Sequence, residues 1–117
     1  MMECRLCGFR CAVDRGKAVG ACGIDDRLYV SHYGLHRGEE PFITGAHGSG
    51  TIFLAGCTLR CRFCQNYQIS RWRVKSPTAR MESISTERLV EIFYELKAAG
   101  AANINFVSPT PYAVQLK

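Results

Sequence analysis

The sequence lacks any long apolar run. Its 117 residues hold nothing close to the roughly 18 consecutive apolar residues that a membrane-spanning helix needs. The N-terminus also lacks a basic stretch followed by an apolar one, so a secretory signal is not indicated. These absences predict a protein that stays in the cytoplasm and has no membrane partner.

Acidic residues are missing between Cys57 and Arg80, although the whole chain has ten of them and a net charge of +5. The basic residues of this stretch are Arg60, Arg62, Arg71, Arg73, Lys75 and Arg80. Such a stretch is typical of a solvated loop or of a nucleic-acid-binding patch. It would equally balance the negative charge of a thiolate-bound cluster, of a carboxylate ligand or of an acidic redox partner. Charge alone does not choose between these interpretations.

Seven cysteines fall into two groups with different spacings. The first group, C-x2-C-x3-C-x10-C, consists of Cys4, Cys7, Cys11 and Cys22, and the second, C-x3-C-x2-C, consists of Cys57, Cys61 and Cys64. An odd number argues against a simple disulfide framework, and in a reducing cytoplasm clustered cysteines more often bind metal or do redox chemistry. Two sites are therefore predicted. The first group, with four thiols, favours a closed structural zinc site, and a second iron–sulfur cluster is the alternative.

The chain is predicted to divide into a cysteine-rich N-terminal segment, residues 1–46, and a second part, residues 47–117. The first segment has too little hydrophobic periodicity for a core of its own and is expected to fold around a metal. It contains two short predicted strands, residues 28–33 and 42–44.

The second part contains one predicted βαβ unit. Residues 51–55 form an uninterrupted apolar and β-branched run, typical of a strand buried on both faces. Ser85 is expected to cap a helix over residues 86–99, and residues 103–107 give a second strand. The two strands should lie parallel, so Cys57 and Ser108, which follow them, would open onto one face.

The second cysteine group offers three thiolates, which select zinc, copper(I) or iron–sulfur clusters. A structural zinc site needs a fourth ligand, from the first group or from a histidine (His32, His36 or His47). A catalytic cluster instead needs three thiolates and one iron with an open position. Two alternatives follow from these options: a zinc-binding module that contacts nucleic acid, and a simple iron–sulfur electron carrier.

The loop around Cys57, Cys61 and Cys64, with the aromatic Phe63 before its third cysteine, resembles the cluster-binding loop of the radical S-adenosylmethionine (SAM) superfamily. A finer resemblance is to the uncharacterised proteins similar to pyruvate formate-lyase activating enzyme. The segments that carry it are Gly-Glu-Glu-Pro (38–41), Gly-Ser-Gly-Thr-Ile-Phe (48–53), Cys-Gln-Asn-Tyr-Gln-Ile-Ser (64–70), Asn-Ile-Asn (103–105), Ser-Pro-Thr-Pro (108–111) and the N-terminal cysteine group.

The resemblance implies an α/β fold, the N-terminal part of a radical SAM-type (β/α) partial barrel preceded by a cysteine-rich metal-binding segment. It implies a [4Fe–4S] cluster on the second cysteine group, with one iron left for SAM. The reduced cluster would cleave SAM to methionine and a 5′-deoxyadenosyl radical, which abstracts a hydrogen atom from the substrate. The implied partners are a reductant such as flavodoxin or ferredoxin and a glycyl-radical-type protein substrate, and a nucleic-acid partner is not expected.

By the same resemblance, Phe63 would lie near the adenine of SAM, and Ser108, Pro109 and Thr110 would line its methionine end. Many activating enzymes have a Gly-Gly-Glu stretch where this chain has Ser-Pro-Thr, so it departs from the pattern there. A complete barrel takes about 200 residues or more. The expectation is therefore a truncated chain, or one completed by another chain, which is inactive alone.

Overall fold

A computed structural model describes residues 3–71 and 81–117 of the chain. Its strands are β1 (Val30–His36), β2 (Ser49–Leu54) and β3 (Ile104–Val107). Its helices are α1 (Pro41–Thr44), α2 (Tyr67–Ser70), α3 (Thr86–Ala98) and a 3₁₀-helix (Thr110–Tyr112). In the described ranges, no helix has the length and apolar character needed to cross a membrane.

Strand β2 is the centre of a three-stranded sheet with the order β1-β2-β3. It pairs antiparallel with β1 and parallel with β3, where Phe53 lies opposite Val107. Ile52 and Leu54 of β2 are almost completely buried, as a central strand covered on both faces requires. The predicted strand at 51–55 and its parallel partner are thus confirmed, with β2 beginning two residues earlier.

Helix α3 provides the crossover between β2 and β3. The Ser85 side chain accepts a hydrogen bond from the backbone N–H of Arg88 at 3.1 Å, which satisfies one of the free donors of the first turn. The buried side chains of the helix, which pack against the sheet, are Leu89, Ile92 and Leu96. The chain leaves the helix through Gly100 at a φ of +99°, a conformation that favours glycine. The predicted helix 86–99 is confirmed to within one residue.

The predicted strand at residues 42–44 is wrong, because this segment belongs to the single helical turn α1. Pro41 stands in the first turn, where its fixed φ suits a helix and its missing N–H costs nothing. The backbone N–H of Gly45 closes the turn on the Pro41 carbonyl oxygen at 3.0 Å. The strand predicted at 28–33 lies further along, as β1, because its pairing with β2 continues to His36 opposite Ser49.

The fold is mixed α/β, as predicted at that level. Strand β1, from the predicted first part of the chain, joins the same sheet as the βαβ unit. The division at residues 46 and 47 stays a prediction. The part of the chain before β1, residues 3–27 and from here on called the N-terminal segment, contains no helix or strand. Its Ile24 nevertheless has no exposed surface and belongs to the hydrophobic core of the sheet.

Candidate metal centre

The cysteine loop, residues 57–71, directly follows Gly56, where a side chain would collide with the N-terminal segment. Gly56 has a φ of +76°, which favours glycine, and a Cβ there would lie 2.4 Å from Ile24 Cγ1 and 2.7 Å from the Cys22 carbonyl oxygen. Its backbone N–H donates to the Ile69 carbonyl oxygen at 3.1 Å. The loop is therefore tied at both ends and pressed against the N-terminal segment.

The three thiols of this loop are free and differ in exposure. Cys57 is half-buried, and its sulfur accepts the backbone N–H of Leu59 at 3.4 Å. Cys64 is also half-buried, with its sulfur 3.5 Å from Ser70 Oγ, whereas Cys61 is exposed. Within residues 3–71 and 81–117, no three side chains of His, Cys, Asp or Glu are grouped so as to hold a metal ion as they stand. Metal binding by this loop stays a prediction.

Apolar side chains of the loop are open to solvent. Phe63 is 88% exposed and Leu59 is 64% exposed, values that are high for such large hydrophobic residues. Tyr67, which begins α2, is about half exposed. The loop therefore presents an uncovered apolar surface beside its cysteines, and the predicted contact of Phe63 with adenine is untested.

The segment after β3 returns to the start of the cysteine loop. Ser108 has a φ of +60°, and Pro109 then leads into the 3₁₀-helix. The fully buried Tyr112 donates its hydroxyl hydrogen bond to the Ala55 carbonyl oxygen at 2.7 Å, and burial raises the pKa of that hydroxyl. The exits of β2 and β3 thus lie together, as predicted from the parallel pairing.

The four N-terminal thiols line one small cavity, together with Arg15, Thr58 and Thr110. These thiols belong to Cys4, Cys7, Cys11 and Cys22. Backbone hydrogen bonds fold the segment tightly, from the Cys4 N–H to the Val13 carbonyl oxygen at 2.9 Å and from the Ala12 N–H to the Cys4 carbonyl oxygen at 3.1 Å. The structure therefore brings the four residues of the first cysteine group to one cavity, although in the described residues their sulfur atoms are not grouped as a finished metal site.

The pKa values of Cys11 and Cys22 are shifted in opposite directions. Hydrogen bonds from the backbone of Ala21 and then Val13 hold the pKa of Cys11 below its usual value of 9.0. Burial raises the pKa of Cys22, with Arg15 acting in the opposite direction. Arg15 is itself buried, and its guanidinium donates to the Asp25 carbonyl oxygen through Nε at 3.0 Å.

The three histidines considered as zinc ligands make other contacts. The His32 ring stacks on Phe53 with a centroid distance of 4.1 Å. His36 Nε2 lies 3.7 Å from a carboxylate oxygen of Glu39, and the side chain of His47 lies beside Gly100. Of the predicted basic stretch, Arg73, Lys75 and Arg80 lie outside the described residues.

Sequence reasoning missed three residues that position the loop: Ile24, Tyr112 and, as a steric requirement, Gly56. Ile24 and Tyr112 act through contacts with residues far away in the chain, for which the sequence carries no local signal. Gly56 stands directly before the first cysteine of the loop, and that position was the available hint.

Comparison with known proteins places the βαβ unit in a family. The model of the radical SAM superfamily matches residues 51–114, from β2 through the cysteine loop, α3 and β3 to the 3₁₀-helix. The chain belongs to the radical SAM superfamily. Radical SAM proteins typically use a [4Fe–4S] cluster and SAM.

A relative of this radical SAM chain is an uncharacterized protein of Methanocaldococcus jannaschii. The two are 33% identical over an alignment of 117 residues. The alignment covers 97% of this chain and 33% of the relative. The chain therefore spans about a third of that relative's length. No solved structure gives a significant match.

Proposed function

We propose that this chain carries the cluster- and SAM-binding part of a radical SAM enzyme of the activating-enzyme type. Cys57, Cys61 and Cys64 would hold a [4Fe–4S] cluster with one iron left for the amino and carboxylate groups of SAM. The observation that carries the proposal is a loop with three free thiols, tied at both ends, inside the segment that the family model matches.

The donor set of the loop fits such a cluster. Thiolates are the usual protein ligands of iron–sulfur clusters, and a catalytic cluster needs three of them and one open iron. Residues 56–71 contain no fourth cysteine and no histidine. Cys61 is exposed, so a [4Fe–4S] cluster could reach its sulfur from the loop surface. The loop would thus leave one iron without a protein ligand of its own.

Two cations beside Cys61 would offset the negative charge of a thiolate-bound cluster. Arg60 is held against the N-terminal segment, because it donates to the Ala21 carbonyl oxygen at 3.4 Å and its guanidinium carbon lies 5.5 Å from the centre of the Phe9 ring. Arg62 is exposed. An exposed cation next to the cluster suits an acidic electron donor, and a flavodoxin or ferredoxin is the class of reductant that we propose.

Held by Cys57, Cys61 and Cys64, a reduced [4Fe–4S] cluster would supply the one electron that cleaves SAM into methionine and a 5′-deoxyadenosyl radical. The residues of this chain would position the substrate of that step. Phe63 would cover the adenine, and Ser108, Pro109 and Thr110 would line the methionine end, since they follow β3 beside the cysteine loop. The hydrogen donor would be a glycine of a partner protein.

The activity of a complete enzyme is part of this proposal, because the chain spans about a third of its relative's length. We expect this chain alone to bind the cluster with partial occupancy and to release no 5′-deoxyadenosine. Robust release of 5′-deoxyadenosine by the isolated chain would contradict the second expectation.

Anaerobic reconstitution of the full chain with iron and sulfide tests the cluster directly. We expect iron and acid-labile sulfide in equal amounts, and an EPR signal of the reduced cluster that changes when SAM is added. Cys61→Ala should abolish the signal, whereas Leu59→Ala, an exposed position in the same loop, should preserve it.

Two results would contradict the proposal and identify its rivals. Zinc without iron would indicate a zinc-binding module. An EPR signal that stays unchanged when SAM is added would indicate a cluster whose four irons all have protein ligands, as in a simple electron carrier.

A further inference from the structure

We propose that the four N-terminal cysteines bind one zinc ion, and that this ion fixes the backbone from which the cysteine loop starts. The ligands would be Cys4, Cys7, Cys11 and Cys22. The zinc site stands independently, while its positioning role rests on the proposed function of the loop.

The four thiols approach one another from two short stretches of chain. The sulfur atoms of Cys11 and Cys22 both lie against Gly20, at 3.4 and 3.6 Å from the place that a Cβ would occupy. Cys4 and Cys7 come from the folded turn whose hydrogen bonds to Ala12 and Val13 are described above. Four thiolates without an open position form the typical ligand set of structural zinc.

The cavity that these four cysteines line is small, with room for roughly one water molecule. A single ion fits this space after the thiols close around it. A cube of four irons and four sulfides would require the segment to open.

A buried cation at the cavity calls for negative charge. Arg15 has 6% of its surface exposed, and its neutral partner, the Asp25 carbonyl oxygen, does not offset its charge. Its Nη1 lies 3.9 Å from the sulfur of Cys4. With Cys4 as a thiol this contact would be a weak hydrogen bond, and with Cys4 as a thiolate it would be a stronger, charge-assisted one. Zinc bound by four thiolates carries two negative charges, one of which this guanidinium would balance.

Three contacts join the zinc ligand Cys22 and its neighbours to the cysteine loop. The backbone N–H of Cys57 donates to the Cys22 carbonyl oxygen at 3.3 Å. Ile24 packs directly over Gly56, and Arg60 donates to the carbonyl oxygen of Ala21. An ion that holds Cys22 in place would therefore hold the first cysteine of the loop.

The metal can be tested without the cluster. In the full chain with Cys57→Ala, Cys61→Ala and Cys64→Ala, the loop has no thiol left. We expect about one zinc per chain in this variant, and strong thiolate-to-metal absorption when cobalt(II) replaces zinc. Adding Cys11→Ser should lower zinc content and cobalt absorption by at least about tenfold. Thr58→Ala, which also lines the cavity without being a ligand, should change neither.

The outcome is decided by the metal found. Zinc below about a tenth of the chain concentration overturns the site, and iron with labile sulfide in this variant overturns the choice of zinc. Circular dichroism checks that the variant folds, and if it does not, the single variant Cys61→Ala provides the same measurement.

The positioning role is tested by amide hydrogen exchange at residue 57, whose N–H is present in the alanine variant. Zinc should slow this exchange by at least about fivefold relative to the chelated protein, while amides of α3 stay unchanged. Equal rates with and without zinc would overturn the positioning role. If no cluster forms in the wild-type chain, the proposed function is contradicted. The measured zinc content and the effect of zinc on amide exchange at residue 57 would not be affected by that result.

Discussion

The N-terminal segment, residues 3–27, and the cysteine loop, residues 57–71, both present free thiols, but they surround them differently. In the segment, backbone hydrogen bonds and a buried arginine enclose four thiols around one small cavity. In the loop, Cys61 and Phe63 are exposed. A closed set suits an ion that stabilises the fold, whereas an open set suits a cofactor that a second molecule must reach. If both proposals hold, the cysteine side chain would support two different chemistries, and its surroundings would decide which one.

These two regions touch each other directly. The contact joins Ala21, Cys22 and Ile24 of the segment to Gly56, Cys57 and Arg60 at the start of the loop. If the segment positions the loop, damage to this contact should loosen the loop more than equal damage elsewhere.

Truncation of Ile24 should have the largest effect. Ile24→Ala removes a fully buried side chain from the contact, and we expect a loss of about 3–4 kcal/mol in the free energy of unfolding. Urea unfolding measures the loss, and amide exchange at Cys57 should accelerate in parallel. The control is Val19→Ala, in the same segment but 41% exposed, for which we expect less than about 1 kcal/mol. Equal losses in the two variants would show that the contact is not specific.

A methyl group at Gly56 should be the next most damaging change. Gly56→Ala meets Ile24 and the Cys22 carbonyl oxygen at a positive φ, and we expect a loss of about 2–3 kcal/mol. Gly23→Ala is the matched control: its φ of +81° gives similar strain, but nothing lies within 4 Å of the new atom.

The collision itself can be isolated from the backbone strain. Combining Gly56→Ala with Ile24→Ala removes two of the atoms that the new methyl group meets. The double variant should therefore lose less unfolding free energy than the sum of the losses of the two single variants. Strict additivity, measured by the same urea unfolding, would contradict the proposed collision.

Removal of the Tyr112 hydroxyl should have a smaller effect. Tyr112→Phe leaves the Ala55 carbonyl oxygen without this buried donor, and we expect a loss of about 1–2 kcal/mol. Tyr94→Phe, on the exposed side of α3, should change the unfolding free energy by less than about 0.5 kcal/mol. A cost for Tyr112→Phe no larger than that of its control would mean that this bond does not hold the start of the loop.

A substitution of Glu95, on the last turns of α3, should have the smallest effect on stability. The Tyr33 hydroxyl and then Arg88, whose Nη1 lies 2.6 Å from a carboxylate oxygen, hold the pKa of Glu95 below its ordinary 4.5. A depressed pKa contributes stability that is present above pH 4.5 and is lost as the pH falls through the folded value. Glu95→Gln should therefore flatten the acid side of the stability profile.

The Glu95 variant also serves as a distant control for the comparison. It should leave amide exchange at Cys57 unchanged at neutral pH, because the group lies on α3 against β1. Acceleration at Cys57 as large as that caused by Ile24→Ala would show that any loss of stability loosens the loop.

Much of the βαβ unit could be predicted because its signals are local. The cap at Ser85, the apolar stripe of α3 and the uninterrupted run of β2 each lie within a few residues. The turn at Pro41 was misread, since its short apolar sequence suits a strand as well as a helix, and the proline decides. The length of β1 depends on its pairing with β2, which no local pattern reveals.

The candidate site was predictable in its residues and less so in its architecture. Cysteine spacing alone identified the two groups, whereas the open iron expected at the second came from the family resemblance and stays a prediction. That the first group would lie beside Thr58 and Thr110 could not be read from the sequence, because the contact joins three separate segments. Tyr112 illustrates the same limit, since its partner, Ala55, is more than fifty positions away.

The pairing of β2 with β3 has a consequence for the spacing of the loops that follow them. Because Phe53 stands opposite Val107, the residues after the two strands emerge at the same level of the sheet. A slip of one residue would offset the two loops by about 3.3 Å and turn every side chain of one strand to its other face. The register of the β2–β3 hydrogen bonds thus determines how far apart the two loops begin, independently of the sequences of the loops.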